Sequence, residues 1–248
     1  MPHTSALATR PAKTLAAIQS CYIPWKGFFD LLNRCDEYVI LDGAQYVKRH
    51  WHNRNKIKTA NGLQWLTIPV VTKSRYEQPI DEVEISEPDW AEQHWRSIEQ
   101  AYRKAPHFTT YGPILRQLYE TVAKEKLLTL VNERFLRELS ALLGLQVRIT
   151  RDGDYAPQGK RSERLVDVCR LAHATHYVSG PSAKEYLEEN LFTDIGTSVE
   201  WMSYGPYPTY PQLHGDFEHA VSVLDLLFMT GDQAPRYFLS GAADTSAS

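Results

Sequence analysis

The chain has no apolar run near the roughly 20 residues that a spanning helix requires, so membrane insertion is not expected. Its first fourteen residues, Met1 to Thr14, are small and polar with two prolines and lack the apolar stretch of a signal peptide. Cysteine is scarce. Cys21, Cys35 and Cys169 form an odd, scattered set without CxxC spacing, which speaks for reduced thiols and a cytoplasmic setting, and against a disulfide framework or zinc cage. The His50/His52 and His173/His176 pairs lack further ligands at metal-site spacing, so no metal is expected, and no cofactor is specified. Nor does charge of one sign dominate. With 27 Lys plus Arg against 30 Asp plus Glu, the formal net charge is −3, and no global field draws the protein to nucleic acid. Any anion site must therefore be local. There is no internal repeat and no GxxxxGK[ST] phosphate loop.

What remains is ordinary globular composition: 43% apolar and 23% charged over 248 residues, enough for one α/β domain with a sizeable core. The expected organisation is a flexible tail at 1–14, a single domain at 15–240 and a second tail at 241–248. Apolar runs with strand formers predict strands at Leu15–Gln19, Glu37–Leu41, Trp65–Val71 (near an edge, because of Pro69) and Glu82–Ser86. A helix is predicted over Lys26–Cys35. From Asp89 to Gly144 the period becomes about 3.6, giving helices near 89–104, 111–122 and 126–143, separated by Pro106 and Pro113. Alternation then returns: strands at Gln146–Thr150, Thr175–Ser179 and Ser198–Met202, with helices at Ser162–Ala172 and Ala183–Glu189, and a last helix at His219–Met229. This rhythm predicts a three-layer α/β fold with a mostly parallel, Rossmann-like sheet and a helical segment in the middle of the chain. Ligands of such sheets bind at the carboxyl ends of the strands, which singles out the loops after Ile18, Leu41 and Val178.

Those loops hold the candidate chemistry. After the first strand, Gln19, Cys21, Tyr22 and Trp25 combine polar tips with aromatic faces. After the second, Asp42 is followed by Tyr46, Lys48, Arg49, Trp51, Asn53 and Arg54, where bases interleave with aromatics and amides and no acid intervenes. Lys48, Arg49 and Arg54 suit phosphate or carboxylate, Asn53 a sugar or base edge, and Trp51 a ring. Ser179, Gly180, Ser182 and Lys184 supply hydroxyls and a tight turn for an anion. Asp42 and His219 are candidate bases, Cys21 is a candidate acyl-accepting nucleophile after a strand, and Tyr204–Pro211 reads as an aromatic lid. Each has a plainer reading, as core aromatic, solvated hairpin, buried thiol or helix cap.

The run AIQSCYIPWKGFFDLLNRCDEYVILDGAQYVKRHWHNRNKIKTANGLQWLTIPV closely resembles the opening signature of the WbqC-like family. The likeness extends over about 15–240 through His94-Trp95, Ala105-Pro106, Arg161-Ser162-Glu163-Arg164-Leu165, the block from Tyr177 to Leu187, Trp201-Met202 and Phe217-Glu218-His219. It implies a bacterial protein encoded in surface-polysaccharide (O-antigen) or other specialised biosynthetic loci. Cys21 stands where relatives commonly carry Asn or another residue, which speaks against a thiol nucleophile common to the family. In addition, Tyr22 to Phe28 has the Pro and Gly placement of the loop of HIGH-motif nucleotidyltransferases, with Trp25 and Phe28 in place of its histidines. That likeness implies a related fold without the same adenylyl-transfer chemistry.

The expectation is a transferase that moves an acyl or aminoacyl group onto an amine of a nucleotide-linked sugar, with a phosphorylated small molecule as substrate and an acyl carrier protein as an alternative donor. The competing readings are a non-catalytic sugar-nucleotide-binding or pathway-docking module and a nucleotidyltransferase-like enzyme. Oligomeric state is left open.

Overall fold

A computed structural model describes residues 11–75 and 77–240. Residues 1–10 and 241–248, which make up most of the two expected tails, lie outside the described residues. Thr14, counted with the tail, instead opens the first strand, and Lys13 before it pairs with Glu37 at 2.7 Å.

The elements run β1 (Thr14–Ile18), α1 (Lys26–Asn33), β2 (Glu37–Ile40), β3 (Arg54–Thr59), β4 (Gly62–Thr67), α2 (Trp90–Tyr102), α3 (Phe108–Val122), α4 (Leu128–Leu142), β5 (Arg148–Arg151), α5 (Ser162–Leu171), β6 (His176–Ser179), α6 (Glu189–Asp194), β7 (Ser198–Trp201) and α7 (Val223–Thr230). Five strands form one sheet in the order β5-β2-β1-β6-β7, and every pairing in it is parallel. Its central strands are short and apolar because both their faces are buried. Period-two geometry sends alternate residues to opposite sides. Ala16, Tyr38, Ile40 and Val178 join one apolar cluster with α1, α2, α3, α4 and α7. Leu15, Ala17, Val39 and Tyr177 join a second with α5 and α6.

The strand order positions the site. From β1 the chain works outward through β2 to β5, using helices on the first face, then crosses to the other side of β1 for β6 and β7, using α5 and α6 on the second. The loops that follow β1 and β6 therefore diverge, and a crevice opens between them at the carboxyl ends of the strands.

Three expectations are corrected. The strand expected at Trp65–Val71 is not an edge of the main sheet: it begins earlier, as β4, and pairs antiparallel with β3 in a separate hairpin. Pro69 lies beyond that pairing. Glu82–Ser86 forms no strand; a 3-10 turn at Ile80–Glu82 precedes two isolated bridges, Val70 to Ile85 and Glu84 to Leu127. Pro113 does not divide two helices, for α3 runs through it from Phe108. Two boundaries also shift: the last helix starts at Val223, capped by the Ser222 hydroxyl on Leu224 N, and the helix expected at Ala183–Glu189 is a 3-10 turn followed by α6.

Candidate functional site

At the carboxyl ends of β1, β2 and β6 lies a cavity of about 1430 Å³. Its floor is apolar, formed by Ala17, Ile18, Leu41 and Tyr177. Its rim is supplied by five segments: the loop after β1 (Gln19, Cys21, Trp25), the turn after β2 (Gly43, Ala44, Gln45, Val47, His50, Trp51), the loop before α5 with that helix's first turn (Gly159, Lys160, Arg161, Arg164), the turn after β6 (Ser179, Gly180, Ser182) and Tyr204. A second depression of about 960 Å³ is lined by Glu77, Asp81, Glu82 and Glu84 and by Arg75, which is paired with Glu84 at 2.9 Å, so its lining is mainly acidic.

The first rim segment is shaped by a glycine. A Cβ on Gly27 would come within 2.3 Å of the Trp25 ring, so glycine lets that indole fold back over the start of α1. Trp25 packs edge-on against Tyr204 at 5.5 Å and Tyr207 at 5.7 Å. The expected lid is consequently a packed strap: Tyr207 and Tyr210 are buried, the Tyr207 hydroxyl donates to Asp30 at 2.8 Å, and Lys26 Nζ donates to Pro208 O at 2.9 Å. Of the segment 204–211, Tyr204 alone lines the cavity.

Beneath the rim sits a buried polar network. Asp42 accepts from Ser20 N at 2.8 Å, Ser20 Oγ at 2.7 Å and Thr129 Oγ1 at 2.6 Å. Burial raises its carboxyl pKa against these hydrogen bonds. Asn132 donates to Ser20 Oγ and to His52 O, both at 2.9 Å, and His52 Nδ1 donates to Ser20 O at 3.0 Å. Desolvation carries the His52 pKa down to about 4, so its ring is neutral. This network locks the loop after β1 to the turn after β2. It gives Asp42 a positioning role and removes it from the base role expected of it, since its oxygens are committed and it does not line the cavity.

The remaining expected residues divide cleanly. Gln19, Cys21, Trp25, Trp51, Ser179, Gly180 and Ser182 meet around the cavity. Tyr22 does not: it is a core ring whose hydroxyl lies 2.9 Å from His94 Nδ1 and 2.6 Å from Tyr119 OH. Asn53 is buried and donates to Ile68 O, and Tyr46 is buried beside His52. Lys48 and Arg49 are exposed away from the lining, and Lys184 lies over the Trp201 ring at 5.4 Å. Arg54 places its guanidinium 4.2 Å over the Trp65 ring and donates to Arg49 O, so it braces the hairpin. His219 packs on Phe217 at 4.6 Å, outside the lining. Burial pushes the Cys21 thiol up to about 12, helped by the Asp42 charge, so it is no thiolate near neutrality.

Sequence reasoning missed Lys160, Arg161, Arg164 and His50. The loop before α5 turns sharply, with Ala156, Gly159 and Arg161 all at positive φ, and delivers its cations to the cavity. Arg164 is held by Asp152 at 2.8 Å and Pro157 O at 2.9 Å. Lys160 and Arg161 have no ion-pair partner among the described residues. His50 faces the cavity 4.5 Å from His52; burial and then the Arg54 charge lower its pKa, leaving it neutral near pH 7. The block Arg161 to Leu165 was visible as a signature, but only the fold reveals that it turns toward the loops after β1 and β6. Among the described residues no three His, Cys, Asp or Glu side chains are grouped to hold a metal, and no helix is long and apolar enough to cross a membrane.

The WbqC-like protein family model matches residues 19–237. An uncharacterized protein of Mycobacterium tuberculosis, Rv1507c, is 45% identical over 225 residues, covering 91% of this chain and 97% of its own. No solved structure matches the chain. Matched along nearly all of its sheet, helical segment and cavity loops, the chain belongs to the WbqC-like protein family.

Proposed function

We propose that the cavity binds a nucleotide-linked amino sugar and that the protein transfers an acyl or aminoacyl group to the sugar's amine, in surface-polysaccharide or related biosynthesis. The frame is read as Rossmann-like, a single domain working in the cytoplasm. One observation carries the reading: at the crevice of the parallel sheet, the uncompensated Lys160 and Arg161 share a cavity with the rings of Trp25, Trp51 and Tyr204. Cations suit phosphate oxygens and flat rings suit a base or sugar. The anion clamp thus moves from Lys48 and Arg54 to Lys160 and Arg161. Gln19 is kept as an orienting group, because its amide lines the cavity without a hydrogen-bond partner among the described residues.

The base is assigned to His50. The amine nitrogen attacks the carbonyl carbon of an activated acyl donor, the C–N bond forms, and the bond to the donor's leaving group breaks. The amine proton passes to the His50 imidazole and from there to the leaving group. A thioester of coenzyme A or of a carrier protein is a suitable donor.

Calorimetric titration with nucleotide-linked amino sugars tests the site. Arg161→Ala is expected to weaken binding about tenfold, as loss of a charge-assisted contact does. If no such ligand binds the wild-type protein, the reading fails. The inaccessible Asp42 and the protonated Cys21 favour a second reading, a binding module without turnover. Acylated product formed by the wild-type protein, read by mass spectrometry, separates the two, and its absence supports the module; His50→Ala then tests the base, since retained binding with loss of product supports that role and unchanged product formation removes His50 from the chemistry.

A further inference from the structure

Trp51 and Trp65 are 41% and 43% exposed, which is costly for two indoles with nothing to meet. They lie on different segments, Trp51 before β3 and Trp65 within β4, yet their centroids are 5.4 Å apart with planes inclined by 33°. The Arg54 guanidinium lies over the same Trp65 ring at 4.2 Å, and it also donates to the carbonyl of Arg49. Arg49 has φ 60, a left-handed conformation that reverses the chain just before Trp51. Arg54 therefore ties the turn that bears Trp51 to the Trp65 ring against which Trp51 packs. Of these three residues, Trp51 alone lines the cavity.

The arrangement is a braced plate. An indole free to rotate would lose rotamer entropy on stacking with a ligand; one already held by Trp65 and Arg54 has lost it on folding. The cavity that it lines is also lined by Gln19, whose amide is a donor and an acceptor together, and by the cations Lys160 and Arg161. Ring, amide and cations are what a nucleoside diphosphate requires: a flat base to stack, a base edge to bond and phosphates to neutralise.

We propose that Trp51 is the stacking plate for the nucleobase of the ligand, and that Trp65 and Arg54 are positioning residues that hold it. This rests on the proposed nucleotide-sugar cavity and specifies which part of the ligand each wall takes. The experiment is calorimetry of the full chain with UDP and ADP as base-bearing probes and with glucosamine 1-phosphate as a probe that has none. Trp51→Ala is expected to weaken UDP or ADP about tenfold, on the scale of one base stacked on one aromatic ring, and to leave the sugar phosphate unchanged. Trp51→Phe is expected to restore most of the loss. Trp65→Ala is expected to cost less, to be rescued by Trp65→Phe, and to abolish the exciton couplet that two indoles at this distance give in circular dichroism. Nucleotide affinity unchanged in Trp51→Ala overturns the plate while leaving the cavity reading intact. Loss confined to the sugar phosphate overturns it too, since the plate then reads the sugar. No nucleotide binding by the wild-type protein overturns both readings together.

Discussion

Single side chains in this protein are governed by whether the fold leaves them anything to do besides hold it together. Cys21 is the clearest example: it lines the cavity, but burial and the nearby Asp42 carboxylate raise its pKa from 9.0 to about 12. With the thiol so raised, Cys21 is expected to react with iodoacetamide more slowly than an ordinary thiol. Mass-spectrometric rates of alkylation check this; rapid labelling at Cys21 would restore it as a nucleophile. Gly27 is governed by space. Gly27→Ala places a methyl inside the Trp25 ring, and overpacking of this kind costs about 1–3 kcal/mol. A fall in thermal stability together with weakened ligand binding is the expected outcome, because Trp25 is both packing partner and cavity wall. Most of the candidate residues were legible as types, but the sequence could not separate Tyr22, sealed in the core against Tyr119, from Trp25 three positions later at the rim. The two differ in what surrounds them.

At the scale of elements, buried charges stitch strands and loops. Glu37 opens β2 and takes Lys13 from before β1, Thr150 from β5 at 2.6 Å, and the Tyr155 hydroxyl. Burial alone would raise its pKa, but these donors outweigh it and carry the carboxyl below its ordinary 4.5. A depressed acid stabilises the fold above its unfolded pKa, and the contribution is lost as pH falls through the folded one. Glu37→Gln is therefore expected to cost about 2 kcal/mol at pH 7, as hydrogen bonds to charged groups do, with the gap to wild type closing in strong acid. Urea titrations at several pH values measure it.

Lys26, at the start of α1, is a buried base whose pKa is also lowered, so it acts in the same direction in a higher pH window. It is 2% exposed among the rings of Tyr207, Tyr210 and Phe217 at 5.1–5.5 Å, and burial lowers its pKa from 10.5 to about 8 despite Asp225. Between those values the unfolded chain holds the proton and the folded chain does not, so stability gains with rising pH through that window. Lys26→Met should lack that rise, and parallel melts of the two proteins from pH 7 to 10.5 would show it.

For the whole molecule, the decisive feature is a sheet whose strand order reverses at its central strand, with loops from five separate segments meeting above it. A ligand that bridges those segments stabilises the native state by mass action. At a hundred times its Kd the gain is about 2.7 kcal/mol, which for a chain of this size raises Tm by about 5–10 °C. A nucleotide-linked amino sugar is expected to produce such a shift in wild type and about half of it in Arg161→Ala at the same concentration, because a tenfold weaker site is still about ten times above its Kd. An equal shift in both would place the anion clamp elsewhere.

The sequence by itself determined what depends on neighbours a few residues apart. Apolar runs and the 3.6 period marked the parallel strands and the middle helices, and the density of polar and aromatic residues marked the loops after Ile18, Leu41 and Val178. It could not determine what depends on residues far apart in the chain. Whether Trp65 belongs to the main sheet or to a hairpin with Arg54 is a question of pairing, and local propensity is the same for both. Whether Arg161 or Arg54 faces the ligand was decided by the sharp turn before α5 and by the Trp65 ring, which captures one guanidinium and leaves the other free. Strand order and side-chain partners are long-range properties, set by the burial and charge pairing of the assembled molecule. That is why the architecture could be read along the chain, while the division of its basic residues between brace and clamp only appeared once the chain was folded.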